Sequence, residues 1–324
     1  MKYKIALTNS DIQPVEDWQI KLMRECEAEL VAETCYSREK IIALCADADG
    51  VLVAGSVLDT EVIESLKCCR IISRLGTGCD NIDLATAGAK GIPVVNVPEF
   101  CTDEVADHAM ALLLACARRL LEGDKLLREG IWDQMFVMPS HSLRGQVMGL
   151  VGFGRIARAV ARRAEAFGMR NVYYDPFVSE TAGGSLATAC KSLDELLGMA
   201  DVVSLHAPLT DKTRGMIGRA ELRLMKPASF LINSGRGKLV DQDELIRALK
   251  EGVIAGAGVD AHEPEPLPKD SPLIELSNVV MSPHCAVHTV EALHYAAVEA
   301  YGQVAKAFRG QPLSNVVNSE FLKS

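Results

Sequence analysis

The run Val147-Met148-Gly149-Leu150-Val151-Gly152-Phe153-Gly154-Arg155-Ile156-Ala157 falls near the middle of a 324-residue chain. An apolar strand pattern leads into a glycine turn, and a helical pattern in Ile156, Val160, Ala164 and Phe167 follows it. A carboxylate, Asp175, closes the next apolar run, Val172-Tyr173-Tyr174, about 20 residues on. Strand, glycine turn, helix and acidic residue in this register form the unit whose backbone N–H groups hold a dinucleotide pyrophosphate at a helix N-terminus. Such a unit belongs to a doubly wound parallel sheet. Because it begins at mid-chain, a different unit must precede it.

Residues 1–100 alternate short apolar runs with helical patterns. Ile5-Ala6-Leu7, Val51-Leu52-Val53, Ile71-Ile72-Ser73 and Val94-Val95 read as strands, and Trp18 to Leu30 and Glu61 to Leu66 as helices. Strands separated by crossover helices run parallel, so the first unit is itself α/β. From about Thr102 to Leu121, Val105, Ala109, Leu112, Leu113 and Cys116 recur at helical spacing. After Val147 a second strand series follows: Val172 to Tyr174, Val202 to Leu205, Phe230 to Ile232 and Ile254 to Val259. A final helical pattern spans Val290 to Phe308 and is expected to complete the first unit. The expected division is 1–100 with 286–324 around an inserted 101–285. Two chain crossings, near Pro98 to Thr102 and near His284 to His288, imply a hinge with a small-ligand site beside it.

This length suits two domains. The net charge is -9 and no basic run offers a nucleic-acid surface. No segment approaches the length of a membrane span, and the N-terminus lacks a signal-peptide pattern, so a cytoplasmic protein is expected. Ten cysteines are scattered without a Cys-x-x-Cys pair, which fits reduced packing thiols better than disulfides or zinc. His284 and His288 stand four apart, but Pro283 and a helix start near Thr289 keep them off a shared helix face. No metal is expected.

Asp175 in register with the glycines accepts hydrogen bonds from ribose hydroxyls and repels a 2′-phosphate. No Lys or Arg follows it before Lys191, so the cofactor expected is NAD. Three further segments each follow an apolar strand: Asn233-Ser234-Gly235-Arg236-Gly237, Gly258-Val259-Asp260-Ala261-His262-Glu263-Pro264-Glu265-Pro266 and Ser282-Pro283-His284. Strand C-terminal ends are where open α/β sheets build their sites. An arginine, a carboxylate and a histidine so placed suit reactions on 2-oxo or 2-hydroxy acids. Arg236 can fork onto a carboxylate and polarise a carbonyl, His284 can exchange a proton with the reacting oxygen, and Glu265 can hydrogen-bond the imidazole and favour its charged form. No serine or cysteine sits in a nucleophile elbow, so covalent catalysis is not expected.

These motifs, with Arg74-Leu75-Gly76-Thr77-Gly78-Cys79-Asp80-Asn81-Ile82-Asp83, Leu205-His206-Ala207-Pro208-Leu209-Thr210 and Leu224-Met225-Lys226-Pro227, resemble the D-isomer-specific 2-hydroxyacid dehydrogenases over most of the chain. The resemblance implies two Rossmann-like domains: a central doubly wound NAD-binding domain inserted in a discontinuous, flavodoxin-like substrate domain. It implies that Arg236, Glu265 and His284 form a catalytic trio, and that Gly76, Thr77 and Gly78 hold the substrate carboxylate. It makes Thr102, Gly152, Gly154, Arg155, Ile156, Asp175, Ser234 and Asp260 cofactor-contacting positions, Asp260 near the nicotinamide, and it implies a homodimer to which the helix from Thr102 contributes.

Two departures bear on the substrate. Family members that bind 3-phosphoglycerate usually carry a basic residue after the strand matching Val51-Leu52-Val53, and Ala54-Gly55-Ser56-Val57-Leu58 offers none. No regulatory extension is expected after the last helix. The expected activity is NAD-dependent interconversion of a small D-2-hydroxy acid and its 2-oxo acid. The alternatives are a dinucleotide-sensing co-repressor-like protein and a dehydrogenase of phosphite-like or one-carbon anions.

Overall fold

In the computed structural model, which describes residues 1–322, the chain divides into two compact units. One comprises Met1–Cys101 with the segment from Thr289; the other is Thr102–His288.

The first unit runs β1 (Tyr3–Leu7), α1 (Asp17–Glu25), β2 (Ala28–Ala32), α2 (Arg38–Cys45), β3 (Gly50–Val53), α3 (Thr60–Ser65), β4 (Ile72–Arg74), α4 (Leu84–Ala89) and β5 (Val94–Val95). Its strands are parallel in the order β2-β1-β3-β4-β5, the flavodoxin-like arrangement. The helix expected from Trp18 to Leu30 ends at Glu25. Glu27 turns the chain with φ 58, and residues from Ala28 pair with β1 instead. The apolar residues of this stretch fit a helix or a half-buried strand equally, and the partner that β1 offers decides between them.

The second unit runs α5 (Thr102–Ala117), α6 (Leu120–Arg128), β6 (Val147–Val151), α7 (Arg155–Ala166), β7 (Arg170–Tyr174), β8 (Thr188–Ala189), α8 (Leu193–Met199), β9 (Val202–Leu205), α9 (Arg219–Leu224), β10 (Phe230–Asn233), α10 (Gln242–Lys250), β11 (Gly256–Val259) and β12 (Val279–Met281). The strand order is β12-β11-β10-β9-β6-β7-β8, all parallel, with the order reversing beside β6 as in dinucleotide-binding folds. Separate apolar clusters cover the two faces of this sheet. Leu196, Leu222, Leu245 and Leu249 lie in one, and Ala109, Leu113, Val160 and Ala164 in the other. At ~1.5–3 kcal/mol for each fully buried aliphatic side chain, these two layers outweigh any single polar contact.

The long helix expected from Thr102 to Leu121 is two helices. Arg119 takes φ 47, and its guanidinium pairs with Glu122 and the Phe136 carbonyl. The apolar side of α5 is buried within its own unit, whereas Leu120, Leu121 and Leu127 of α6 are exposed. The closing helix, α11 (Val290–Phe308), belongs to the first unit. Its Ala300 carbonyl accepts from Ser73 Oγ at 3.0 Å, and Tyr301 packs edge-on against Trp18.

His206, after β9, sits with Nε2 2.9 Å from Ser204 Oγ, and burial pushes its imidazole down to about 4. The folded-state value lies below the unfolded one, so between about pH 6.5 and 4 the unfolded chain binds a proton that the folded chain does not. Stability present at neutral pH is lost as the pH falls through that window, by about 2 kcal/mol once residual exposure is allowed for. His206→Gln keeps an amide near Ser204 and removes the titration. Its melting temperature is expected to fall less than that of wild type between pH 7 and 4.5; equal losses would remove His206 from the acid transition.

Candidate active site

In the second unit β6 ends in a turn that requires glycine. Gly152 has φ 84, its N–H donates to the Tyr174 carbonyl at 2.8 Å, and a Cβ there would lie 2.8 Å from the His206 carbonyl oxygen. Gly154 caps α7, and a Cβ added to it would meet nothing within 4 Å. No side chain caps this helix end, where the positive end of a 12-residue helix lies. Arg155 and Ile156 open that helix. Asp175 holds the loop: Oδ2 accepts from the Phe153 N–H and Oδ1 from the Phe177 N–H, each at 2.9 Å. Arg158, one turn into α7, donates to the carbonyls of Phe153 and Ala182 and lies over the Phe153 ring. Ser234 Oγ is buried with no hydrogen-bond partner among the described residues. An open helix N-terminus, a glycine cradle, a nearby carboxylate and an orphaned hydroxyl fit a dinucleotide. Thr102 stands at the start of α5 in the same unit.

The other strand ends of this sheet carry the candidate catalytic groups. Asp260 is fully buried after β11. Its Oδ1 accepts from Ser282 Oγ (2.6 Å) and the Cys285 N–H (2.9 Å), its Oδ2 accepts from the Ala286 N–H (3.1 Å), and its backbone carbonyl accepts from the His284 N–H (2.8 Å). Burial by itself would raise this carboxyl; the hydrogen bonds from Ser282, Cys285 and Ala286, with His108 alongside, outweigh it and hold the pKa below the usual value. The side chain is thus directed at the turn that carries His284.

His284 adopts φ 52, a left-handed conformation that costs a non-glycine residue ~1–2 kcal/mol. Its Nδ1 lies 2.8 Å from Glu265 Oε2 and 3.0 Å from Oε1. A carboxylate only accepts, so Nδ1–H donates and Nε2 is left for another partner. Burial tends to raise the Glu265 carboxyl, but hydrogen bonds from His284 and the His262 N–H take its pKa below the ordinary value. Arg236, half-buried after β10, donates Nη1 to the Gly235 carbonyl, and its own carbonyl accepts from Asn233 Nδ2. Gly237 allows this loop to lie against the next one, since a Cβ there would come within 1.9 Å of the His262 carbonyl oxygen.

Two residues not singled out in the sequence join this centre. His108 of α5 places Nε2 2.8 Å from Ser282 Oγ and 3.4 Å from Asp260 Oδ1. His262 places Nε2 2.9 Å from the Ser282 carbonyl oxygen. His108 interrupts an apolar helix, a signal that only its distant partners make interpretable. His108, Asp260 and Cys285 also bring three potential metal-ligand atoms within 4.8 Å of one another, but the Asp260 oxygens already accept three hydrogen bonds there.

In the first unit the Gly76-Thr77-Gly78 loop follows β4. Its carbonyls are all tied back: Gly76 accepts from the Val97 N–H, Thr77 from Asn96 Nδ2 and Gly78 from Arg74 Nε. Among the described residues the three N–H groups of this loop have no hydrogen-bond partner. Consecutive N–H groups so arranged form an anion-binding concavity.

Residues 110–286 match the family model described as D-isomer specific 2-hydroxyacid dehydrogenase, NAD binding domain. The chain belongs to that family. It is 43% identical over 291 residues to a glyoxylate reductase from Korarchaeum cryptofilum, covering 89% of this chain and 88% of the relative. It is 38% identical over 317 residues to a D-3-phosphoglycerate dehydrogenase from Methanocaldococcus jannaschii, covering 97% of this chain but 59% of that longer protein. Its structure resembles that of a glyoxylate reductase from Paecilomyes thermophila with a TM-score of 0.88 at 29% identity, covering 98% of this chain and 99% of the other. As a member of this family the chain is an NAD-dependent dehydrogenase built from two Rossmann-like units.

The cofactor loop yields a direct test. Gly152→Ala forces a side chain into a left-handed position and against the His206 carbonyl, so NADH affinity in a fluorescence titration is expected to fall at least about tenfold. Unchanged affinity would mean that this turn does not hold the pyrophosphate.

Proposed function

We propose that the protein interconverts a small, unphosphorylated D-2-hydroxy acid and its 2-oxo acid. The observation that carries this reading is the Glu265–His284 contact, which directs His284 Nε2 away from the carboxylate and makes it the proton-exchanging atom. The Gly152–Ile156 loop with Thr102, Asp175 and Ser234 would hold NAD, which when bound would supply or accept the hydride at the acid's second carbon. In reduction, protonated His284 gives its Nε2 proton to the oxygen as the carbonyl becomes an alcohol, and in oxidation it takes that proton back. Glu265, its carboxyl kept ionised, stabilises the charged imidazole and fixes its orientation. Arg236 binds the carboxylate and polarises the carbonyl; in the first unit the N–H groups of Gly76, Thr77 and Gly78 offer an anion-binding concavity. Asp260 supports the His284 turn.

Support for an unphosphorylated substrate comes from the loop after β3. The N–H groups of Ala54, Gly55 and Ser56 would make a phosphate cradle, but all three donate to Asn9 Oδ1, at 3.1, 2.9 and 3.0 Å. The similarity to glyoxylate reductases agrees with a small acid. We also propose a homodimer, because exposed Leu120, Leu121 and Leu127 of α6 and Trp132, Met135 and Met138 beyond it form an apolar segment of the kind that marks an interface. A cytoplasmic location fits ten free thiols, most of them buried.

The test is NADH oxidation with glyoxylate, hydroxypyruvate, pyruvate, a branched 2-oxo acid and phosphohydroxypyruvate. At least one unphosphorylated acid is expected to turn over well above the phosphorylated one. His284→Ala is expected to lower kcat by about 10²–10⁴. Arg236→Ala should lower kcat/KM by about 10² or more through lost carboxylate binding. Wild-type turnover by both variants would overturn the roles, and preference for phosphohydroxypyruvate would overturn the substrate class. Light scattering at micromolar concentration is expected to give twice the mass of one chain; a monomer there would refute the dimer.

A further inference from the structure

Glu265 and His284 are joined side chain to side chain across 19 residues of sequence, and both remain exposed, at 38% and 37%. An exposed pair of this kind gains little net free energy, so it can orient the imidazole only while the two backbones that carry it stay in place. The backbones that carry the two residues must be held by something else. Asp260 holds one of them: its carboxylate and carbonyl take N–H groups of His284, Cys285 and Ala286. None of those bonds reaches Glu265.

His262 reaches both. Its backbone N–H donates to Glu265 Oε1 at 2.9 Å, fixing the carboxylate from below. Its ring Nε2 lies 2.9 Å from the carbonyl oxygen of Ser282, two residues before His284, and because a carbonyl only accepts, the ring donates. The ring is buried, and Nδ1 has no partner among the described residues, so its one hydrogen bond is the bond to the His284 turn. The turn it holds is the one in which His284 takes a left-handed conformation.

We propose that His262 is a positioning residue that locks the Glu265 loop to the His284 turn and thereby sets the distance between the two side chains. The inference rests on the acid/base role of His284. A shift of about 1 Å in such a group costs catalysis far more than it costs binding, so losing this bond should appear in kcat.

The experiment compares His262→Met, which has similar bulk and no donor, with His262→Gln, whose amide can donate to the same carbonyl. His284→Ala serves as the reference for the acid/base role. Each full-length protein is assayed with NADH and glyoxylate, or with whichever acid of the panel turns over fastest, and NADH affinity is titrated separately. For His262→Met, kcat is expected to fall at least about tenfold, with KM for the acid and Kd for NADH within about twofold of wild type. His262→Gln is expected to return kcat to within about threefold of wild type. Wild-type kcat in His262→Met, equal impairment of the Met and Gln variants, or loss of NADH binding together with kcat would each overturn the positioning role. If His284→Ala is inactive while His262→Met is fully active, only the His262 inference falls; if His284→Ala is itself active, the acid/base reading falls and takes the inference with it.

Discussion

A single buried carboxylate, that of Asp260, organises the end of the second sheet. It has no exposure and accepts a serine hydroxyl and two backbone N–H groups from the Ser282–Ala286 turn, while its own carbonyl takes a further N–H from His284. A buried charge is tolerated only when hydrogen-bonded in this way, and removing one partner is costly. These bonds hold His284 in a conformation it would not adopt alone. The Glu265 contact, the direction of His284 Nε2 and the convergence of His108 and His262 on Ser282 all depend on that turn.

The cofactor end follows a similar logic with backbone groups. Gly152 makes the chain turn against His206, Gly154 leaves the start of α7 open, and Asp175 braces the loop through the Phe153 N–H. Asp175 thus has a structural part in addition to its expected contact with ribose hydroxyls. Both of its oxygens keep a second lone-pair direction, so the two parts are compatible.

Much of this was legible because it rests on local pattern. The glycines, Asp175 and the strand-end residues Arg236, Asp260, Glu265 and His284 lie in short segments whose geometry follows from strand, turn and helix periodicities. The elements misjudged are those where local pattern was ambiguous. Cys26 to Ala32 suits helix or strand, and pairing with β1 settles it; the apolar run past Ala117 suits one long helix, but Arg119 breaks it with a left-handed turn stabilised by Glu122 and Phe136. The apolar stripe of α5 gives no hint that it is consumed inside its own unit. His108 and His262 escaped because their partners lie 174 and 20 residues away.

From the sequence alone came the two α/β units, the strand–glycine turn–helix unit at mid-chain and the identity of the residues at the strand ends, since alternation of apolar residues and glycine position act over a few residues at a time. Only the tertiary structure decided which way those residues point and what restrains them. The bond from His284 to Glu265, the burial of Asp260 beneath the turn and the filling of the Ala54–Ser56 cradle by Asn9 join segments far apart in the chain. Their distances are set by how parallel strands stack side by side, which no local pattern contains.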